Sequence, residues 1–134
     1  MSTWTSDELT KIGGAEELEI RALRRDGTFR NPVTIWVVRI GDHLYVRSVN
    51  GRTAAWYRGT QVLHEGHIQA GGIAKDVTFA DVVDSAILDQ IDDAYRTKYR
   101  RYAASIINHI VSSAARSATI ELAARPTQIN LTNP

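Results

Sequence analysis

The chain contains no cysteine, which excludes disulfides, thiolate metal sites and cysteine nucleophiles and suits a reducing compartment. No window approaches the roughly 18 consecutive apolar residues that a membrane span needs. The opening Met1-Ser2-Thr3-Trp4-Thr5-Ser6-Asp7-Glu8 has neither the basic start nor the apolar run of a secretory signal. A cytoplasmic protein without a membrane partner is therefore expected, and the Asn130-Leu131-Thr132 glycosylation pattern has no meaning off the secretory route. Charge of one sign is missing too: 16 Lys and Arg against 15 Asp and Glu give a formal net charge of +1. That balance excludes a nucleic-acid backbone as main partner, so any positive patch is local. Gly-x-Gly-x-x-Gly and phosphate-loop motifs, a nucleophile-elbow serine, internal repeats, linkers and low-complexity segments are likewise not found. What remains, 134 residues with 43% hydrophobic and 23% charged residues, fits one folded domain over 1–134.

The pattern of apolar residues alternates between helix and strand periods. Ser6 as N-cap, Asp7 and Glu8 in the first turn and Gly13-Gly14 at the end predict a short first helix that lids a barrel. Leu18, Ile20 and Ala22 alternate with Glu19 and Arg21, a half-buried strand over 18–23, and Asp26-Gly27 supplies the turn after it. Over 33–40 all residues except Thr34 and Arg39 are apolar, so this strand is expected to be covered on both faces, by a helix or by a dimer partner. Gly41-Asp42 leads into a strand over 43–49. Asn50-Gly51 suits either a turn into another strand or a helix start; the two alanines in Arg52-Thr53-Ala54-Ala55-Trp56-Tyr57-Arg58 favour the helix. Strands over 67–70 and 73–79 flank Gly71-Gly72. A long helix begins near position 84 or 85 and runs to about 102, with Ile87, Leu88, Ile91, Ala94, Tyr95, Tyr99 and Tyr102 on one face. Its acidic residues precede its basic ones, in accord with the helix dipole. A second helix is expected over 104–115, and a last strand over 119–124 that ends at Arg125-Pro126.

Arg24, Arg25 and Arg30 surround the first turn, and Arg47, Arg52 and Arg58 surround the glycine corner after the third strand. Guanidinium forks bind phosphate oxygens in pairs, and backbone N–H groups at glycine turns add donors. Two readings stand: both bends open on one cavity that holds a phosphate-bearing ligand, or these are solvated residues paired with nearby carboxylates. Trp36, within an apolar strand, reads as core, while Trp56 and Tyr57 either pack beneath the helix or stack on a ligand ring. His64, Glu65 and His67 are interrupted by Gly66 and have no third ligand at suitable spacing, so no metal site is expected. Asp92-Asp93 read as a solvated helix face.

These segments carry a resemblance. Arg-Arg-Asp-Gly-Thr-Phe-Arg-Asn-Pro-Val from Arg24, Ile35-Trp36-Val37-Val38-Arg39, Leu44-Tyr45-Val46-Arg47-Ser48, Gly51-Arg52, Ala55-Trp56-Tyr57-Arg58, Lys75-Asp76-Val77-Thr78-Phe79 and Ala94-Tyr95-Arg96-Thr97-Lys98-Tyr99 resemble a bacterial domain family of unknown function. That family is similar to the flavin-binding split-barrel superfamily, including deazaflavin-dependent nitroreductases and pyridoxamine-phosphate-oxidase-like proteins. The resemblance implies a mainly β, α+β fold: a six-stranded antiparallel split β-barrel with a long helix in the C-terminal half. It further implies a homodimer with a flavin (FMN) or deazaflavin cofactor in the groove between subunits. The matching cofactor-binding positions are Arg25, Gly27, Thr28 and Arg30 in the turn, and Ser48, Arg52, Trp56, Tyr57 and Arg58 at the strand end and helix. Asp26 departs from the pattern, standing where the relatives usually have a small hydroxyl residue. The expected function is a flavin- or deazaflavin-dependent oxidoreductase in which the cofactor carries the hydride chemistry. The alternative is a cofactor-free protein that binds a small metabolite through His64, His67 and Tyr99.

Overall fold

A computed structural model describes residues 3–125. Helix α1 (Ser6–Gly13) leads to β1 (Leu18–Ala22), β2 (Val33–Ile35), β3 (Val37–Ile40) and β4 (His43–Arg47). A 3-10 turn (Gly51–Thr53) and helix α2 (Ala55–Leu63) follow, then the hairpin of β5 (Glu65–Ala70) and β6 (Ile73–Asp81). Helices α3 (Ser85–Lys98), α4 (Ala104–Ile110) and α5 (Ser113–Arg116) precede β7 (Thr119–Ala124). Pro126 and the Asn130 pattern lie outside the described residues. No helix among those described is long and apolar enough to cross a membrane.

The strands form one antiparallel sheet in the order β2-β1-β5-β6-β7-β4-β3. Its two outer strands are halves of the same apolar run, separated by Trp36 alone, so the sheet nearly closes into a barrel. The expected count of six strands is corrected to seven. The physical reason lies at Trp36: the segment before it pairs with β1, Ile35 opposite Leu18, whereas the segment after it pairs with β4, Val37 opposite Val46. One stretch of chain thereby serves both ends of the barrel.

The same stretch separates two cores. Val37 joins Leu18, Ile20, Leu44, Val46, Ile68, Val77, Phe79, Ile120 and Leu122 inside the barrel, and Val38 joins Tyr45, Ile91, Tyr95, Tyr99, Ile107 and Ile110 beneath α3 and α4. Consecutive side chains of a strand point to opposite faces, so a strand covered on both sides must be apolar throughout. The expected cover is thus a helix, α3. Each fully buried aliphatic side chain contributes roughly 1.5–3 kcal/mol.

The caps explain the element ends. α1 starts one residue earlier than the sequence suggested, because Thr5 rather than Ser6 forms the capping box: Glu8 N–H donates to Thr5 Oγ1 at 3.1 Å and Thr5 N–H to Glu8 Oε1 at 2.9 Å. α1 does lid the barrel, burying Leu9 and Ile12, while Trp4 Nε1 donates to Leu122 O at 2.9 Å. Asp84 caps α3 by accepting from Ala86 N and Ile87 N. The helix ends at Lys98, short of Tyr102, and the expected second helix is divided in two by Ser112, whose hydroxyl caps α5.

Candidate functional site: an apolar cleft beside a basic turn

The barrel opens where β4 ends. Ser48, Val49 and Asn50 leave the strand there, β2 and Trp36 form one wall, Ala54 and Trp56 at the start of α2 form another, and Ile106, His109 and Ile110 of α4 close over them. The cleft holds about 420 Å³ and its walls are mostly apolar. Trp36 stacks face to face on Tyr99, with ring centres 3.8 Å apart and planes at 3°, and Tyr102 lies 4.8 Å from Trp36. Trp36 is therefore not wholly core: it packs against the α3 core and also lines the cleft. Tyr99 is fully buried, and its hydroxyl donates to Glu16 O at 2.8 Å.

Ser48 forms a polar point in this apolar lining. It is 1% exposed and its hydroxyl has no hydrogen-bond partner among the described residues. A buried, unpaired hydroxyl costs about 1–3 kcal/mol, and a ligand group that hydrogen-bonds it recovers that cost. A smaller recess of about 170 Å³ adjoins the cleft, sharing Val33 and Trp56 with it, and is lined by Arg24, Arg30 and Asn31.

The turn that presents those arginines is built by Asp26. Its Oδ1 accepts from Thr28 N at 2.9 Å and Thr28 Oγ1 at 2.6 Å, while Gly27 takes φ of 89°, the left-handed region open to glycine. These hydrogen bonds, chiefly the Thr28 side chain's, hold the Asp26 carboxyl below its ordinary pKa. Asp26 thus shapes the turn from within. Arg24 Nη1 donates to Phe29 O at 3.1 Å, and Arg30 lies across Gly59 of α2, where a Cβ would meet Arg30 Cδ at 2.7 Å.

Within one subunit the two arginine bends do not open on one cavity. Arg25 and Arg30 line a recess with Gly59 and Val62 of α2, whereas Arg52, Tyr57 and Arg58 line another with Gln61 and Asp81. Helix α2 separates them because Gly59 and Val62 occupy one face and Tyr57 and Gln61 another. Arg52 is further tied to Ser117 O by its Nε at 3.1 Å. Among the predicted positions, Ser48 and Trp56 border the main cleft and Arg30 its side recess; Gly27 and Thr28 stay in the turn that carries Arg30. His64, His67 and Tyr99 are not brought together: His64 Nδ1 lies 3.2 Å from Phe79 O, and His67 pairs with Asp76 at 2.9 Å. Among the described residues no group of His, Asp or Glu is placed to hold a metal ion.

Asp92 overturns its sequence reading as a solvated residue, and Arg47 fits neither of its two, ligand contact or solvated surface. The Arg47 side chain is fully buried: Nη1 donates to Asp92 Oδ1 and to Ile110 O (3.2 Å), Nη2 to Leu88 O (3.0 Å) and Nε to Thr119 Oγ1 (2.9 Å). Asp92, 8% exposed, takes Arg116 on its other oxygen at 2.5 Å, while Asp93 stays on the surface beside Arg96. This clamp ties the strand end carrying Ser48 to the helices that roof the cleft. His109 is not among the positions singled out from the sequence; only the return of α4 across the strand end brings it to the cleft.

A family profile described as "Uncharacterized protein conserved in bacteria (DUF2255)" matches residues 8–122. No curated protein matches the chain. Among solved structures, the chain is similar to HutZ, described as the heme storage protein from Vibrio cholerae, at 12% identity and TM-score 0.58, covering 96% of this chain and 93% of that one. It is similar to a protein described as an F420 reductase, at 15% identity and TM-score 0.52, covering 89% and 92%. A FAD-binding protein from Mesorhizobium loti gives 18% identity and TM-score 0.50, covering 89% and 87%. At such identities the likeness establishes the split-barrel fold.

Proposed function

The chain belongs to this uncharacterized family conserved in bacteria, and from that premise we propose that it is a split-barrel homodimer that binds a flavin or deazaflavin in the cleft beside β4 and serves as an oxidoreductase. The observation that carries the reading is the buried Ser48 hydroxyl, unpartnered among the described residues, in an apolar, tryptophan-walled cleft that shares Val33 and Trp56 with the recess of Arg24 and Arg30. The residues fit such a group. A planar, conjugated ring suits walls made by Trp36 and Trp56, and a phosphate suits the guanidinium forks. The solved relatives described as an F420 reductase and a FAD-binding protein support the same class of ligand.

On this reading Trp56 and Trp36 flank the ring, Ser48 donates to or accepts from its polar edge, and Arg30 with Arg24 holds the phosphate. Gly27 and Thr28 keep the turn in shape, Arg25 lines the neighbouring recess with Gly59 and Val62, and Arg52, Tyr57 and Arg58 have no ligand contact within one subunit. The cofactor supplies the hydride chemistry when bound. The chain orients it, excludes water with the apolar walls and, through His109, places an imidazole on the cleft wall. The exposed apolar side chains at the cleft mouth, Val49 at 44% and Ile106 at 45%, suit cover by a second copy.

Titration with FMN and with the deazaflavin F420, followed by tryptophan quenching and visible absorbance, tests the proposal. Saturable binding of either, weakened about tenfold by Arg30→Ala, supports it. Indifference to both removes it, and a Soret band with hemin in place of flavin binding assigns the cleft to heme. Light scattering that reports a monomer removes the dimer.

A further inference from the structure

The recess between α3 and β3, about 430 Å³, shares no residue with the cleft. The chain's lysines are Lys11, Lys75 and Lys98. Lys11 pairs with Asp7 at 3.1 Å and Lys75 with Glu8 at 2.6 Å. Lys98 forms no ion pair among the described residues: its Nζ donates to Val37 O at 2.6 Å and lies 5.1 Å from the centre of the Tyr99 ring. Arg39 lines the same recess, its aliphatic portion packed over Gly13 and its Nε on Gly41 O at 2.7 Å, and among the described residues its terminal nitrogens pair with no carboxylate. The carboxylate in the recess, Asp93, already pairs with Arg96 at 3.3 Å.

We propose that Lys98 is a nucleophilic amine that captures small aldehydes carrying an anionic group, with Arg39 holding the anion. The neutral amine adds to the carbonyl carbon, giving a carbinolamine. The carbonyl oxygen then leaves as water with the two hydrogens that the nitrogen gives up, so one C–O double bond is exchanged for one C–N double bond and no oxidant is needed. Burial supports the nucleophile's state: it pushes the Lys98 ammonium down to about 8, against the opposing pull of Glu16. The charged groups around Lys98 are Glu16 before β1, itself paired with Arg101 at 2.5 Å, Arg39 on β3, and Asp93 on α3. The positive side prevails in the recess, which suits an anionic aldehyde over a neutral one.

The test labels the folded protein with limiting glyoxylate and cyanoborohydride at pH 7.5 and measures each lysine peptide by mass spectrometry. Lys98 is expected to label about tenfold or more faster than Lys11 and Lys75, because its neutral fraction at that pH is far larger than that of an ordinary lysine. Its rate should level off above pH 8 to 9, and urea-unfolded protein should label all three alike. Arg39→Gln should lower Lys98 labelling by glyoxylate about threefold or more and leave labelling by propionaldehyde unchanged. Equal or slower labelling of Lys98 in the folded protein, or a rate still rising at pH 10, overturns the nucleophile. Equal effects of Arg39→Gln on both aldehydes overturn the anion site.

Discussion

Two arginine-bearing corners of this molecule look alike in sequence and behave oppositely in space. At the end of β4, Arg47 is 1% exposed and donates to Asp92, Leu88, Ile110 and Thr119, partners 41 to 72 residues away. At the β1–β2 turn, Arg24 and Arg30 stand beside an open recess, and among the described residues the Arg24 guanidinium hydrogen-bonds only to Thr28 and Phe29. A buried guanidinium must have its donors occupied and its charge compensated, or the desolvation penalty dominates. An exposed one has no such need and remains available to a ligand. The lesson is that an arginine's role is set by whether distant carboxylates and carbonyls converge on its fork, which composition around a turn does not reveal.

The largest expected effect breaks the first corner. Asp92→Ala leaves the Arg47 charge buried without its carboxylate, and thermal or urea unfolding should show a loss of about 3–5 kcal/mol. Asp93→Ala, one residue along, should stay within about 0.5 kcal/mol. If the two variants melt alike, the clamp is not what holds α3 to the strand end. At the second corner the ranking inverts. Arg30→Ala and Arg24→Ala should each leave stability within about 1 kcal/mol while weakening FMN or F420 binding about tenfold, with a shallower salt dependence. Arg52→Ala and Arg58→Ala, lining a different recess, should leave that affinity within about twofold. A larger loss from Arg52→Ala would mean that the cofactor reaches across α2 or that the dimer brings that recess to the cleft.

A smaller effect sharpens the same contrast from the backbone. Gly59 is the platform on which Arg30 lies, and a Cβ there meets flexible side-chain atoms, Arg30 Cδ at 2.7 Å and Nε at 2.9 Å. Gly59→Ala gains about 1 kcal/mol of helix propensity and displaces Arg30, so binding should fall about threefold with little loss of melting temperature. At Gly66 a Cβ would instead meet Arg21 O at 2.1 Å. Backbone cannot swing aside, so Gly66→Ala should cost about 2 kcal/mol or more.

Much of the fold was legible because it rests on local period. The alternation of Leu18, Ile20 and Ala22, the apolar run over 33–40 and the stripe from Ile87 to Tyr99 each announced an element that the structure contains. The break at Trp36 was not legible, since it exists only because β1 and β4 each claim one half of the run. Of the site, Ser48, Trp56 and Arg30 were named from sequence and border two hollows that share Val33 and Trp56 as walls. His109 and the buried state of Asp92 were missed for one reason: both depend on where α4 and α5 return over the strand end, a long-range fact without a sequence period. Within one subunit the two arginine bends do not share a recess, because α2, expected as a helix, lies between them.

The smallest expected effect lies within the exposed corner and depends on pH. Asp26 holds the turn through Thr28, whose side-chain and backbone hydrogen bonds keep its carboxyl below the ordinary carboxylate range in the folded state. A carboxyl whose folded pKa is depressed contributes stability that is present above the unfolded value and lost as pH falls through the folded one. Protonation removes the charge that strengthens the Thr28 hydrogen bonds, so the Thr28 amide should lose hydrogen-exchange protection as pH falls below about 4. Asp26→Asn keeps an oxygen acceptor but removes the charge. Thr28 protection in that variant should be weaker at neutral pH and flat through the acid range. Arg47, bonded to other partners, should keep the α3 amides protected in both proteins, and a coupled loss at α3 would show that the two corners form one cooperative unit after all.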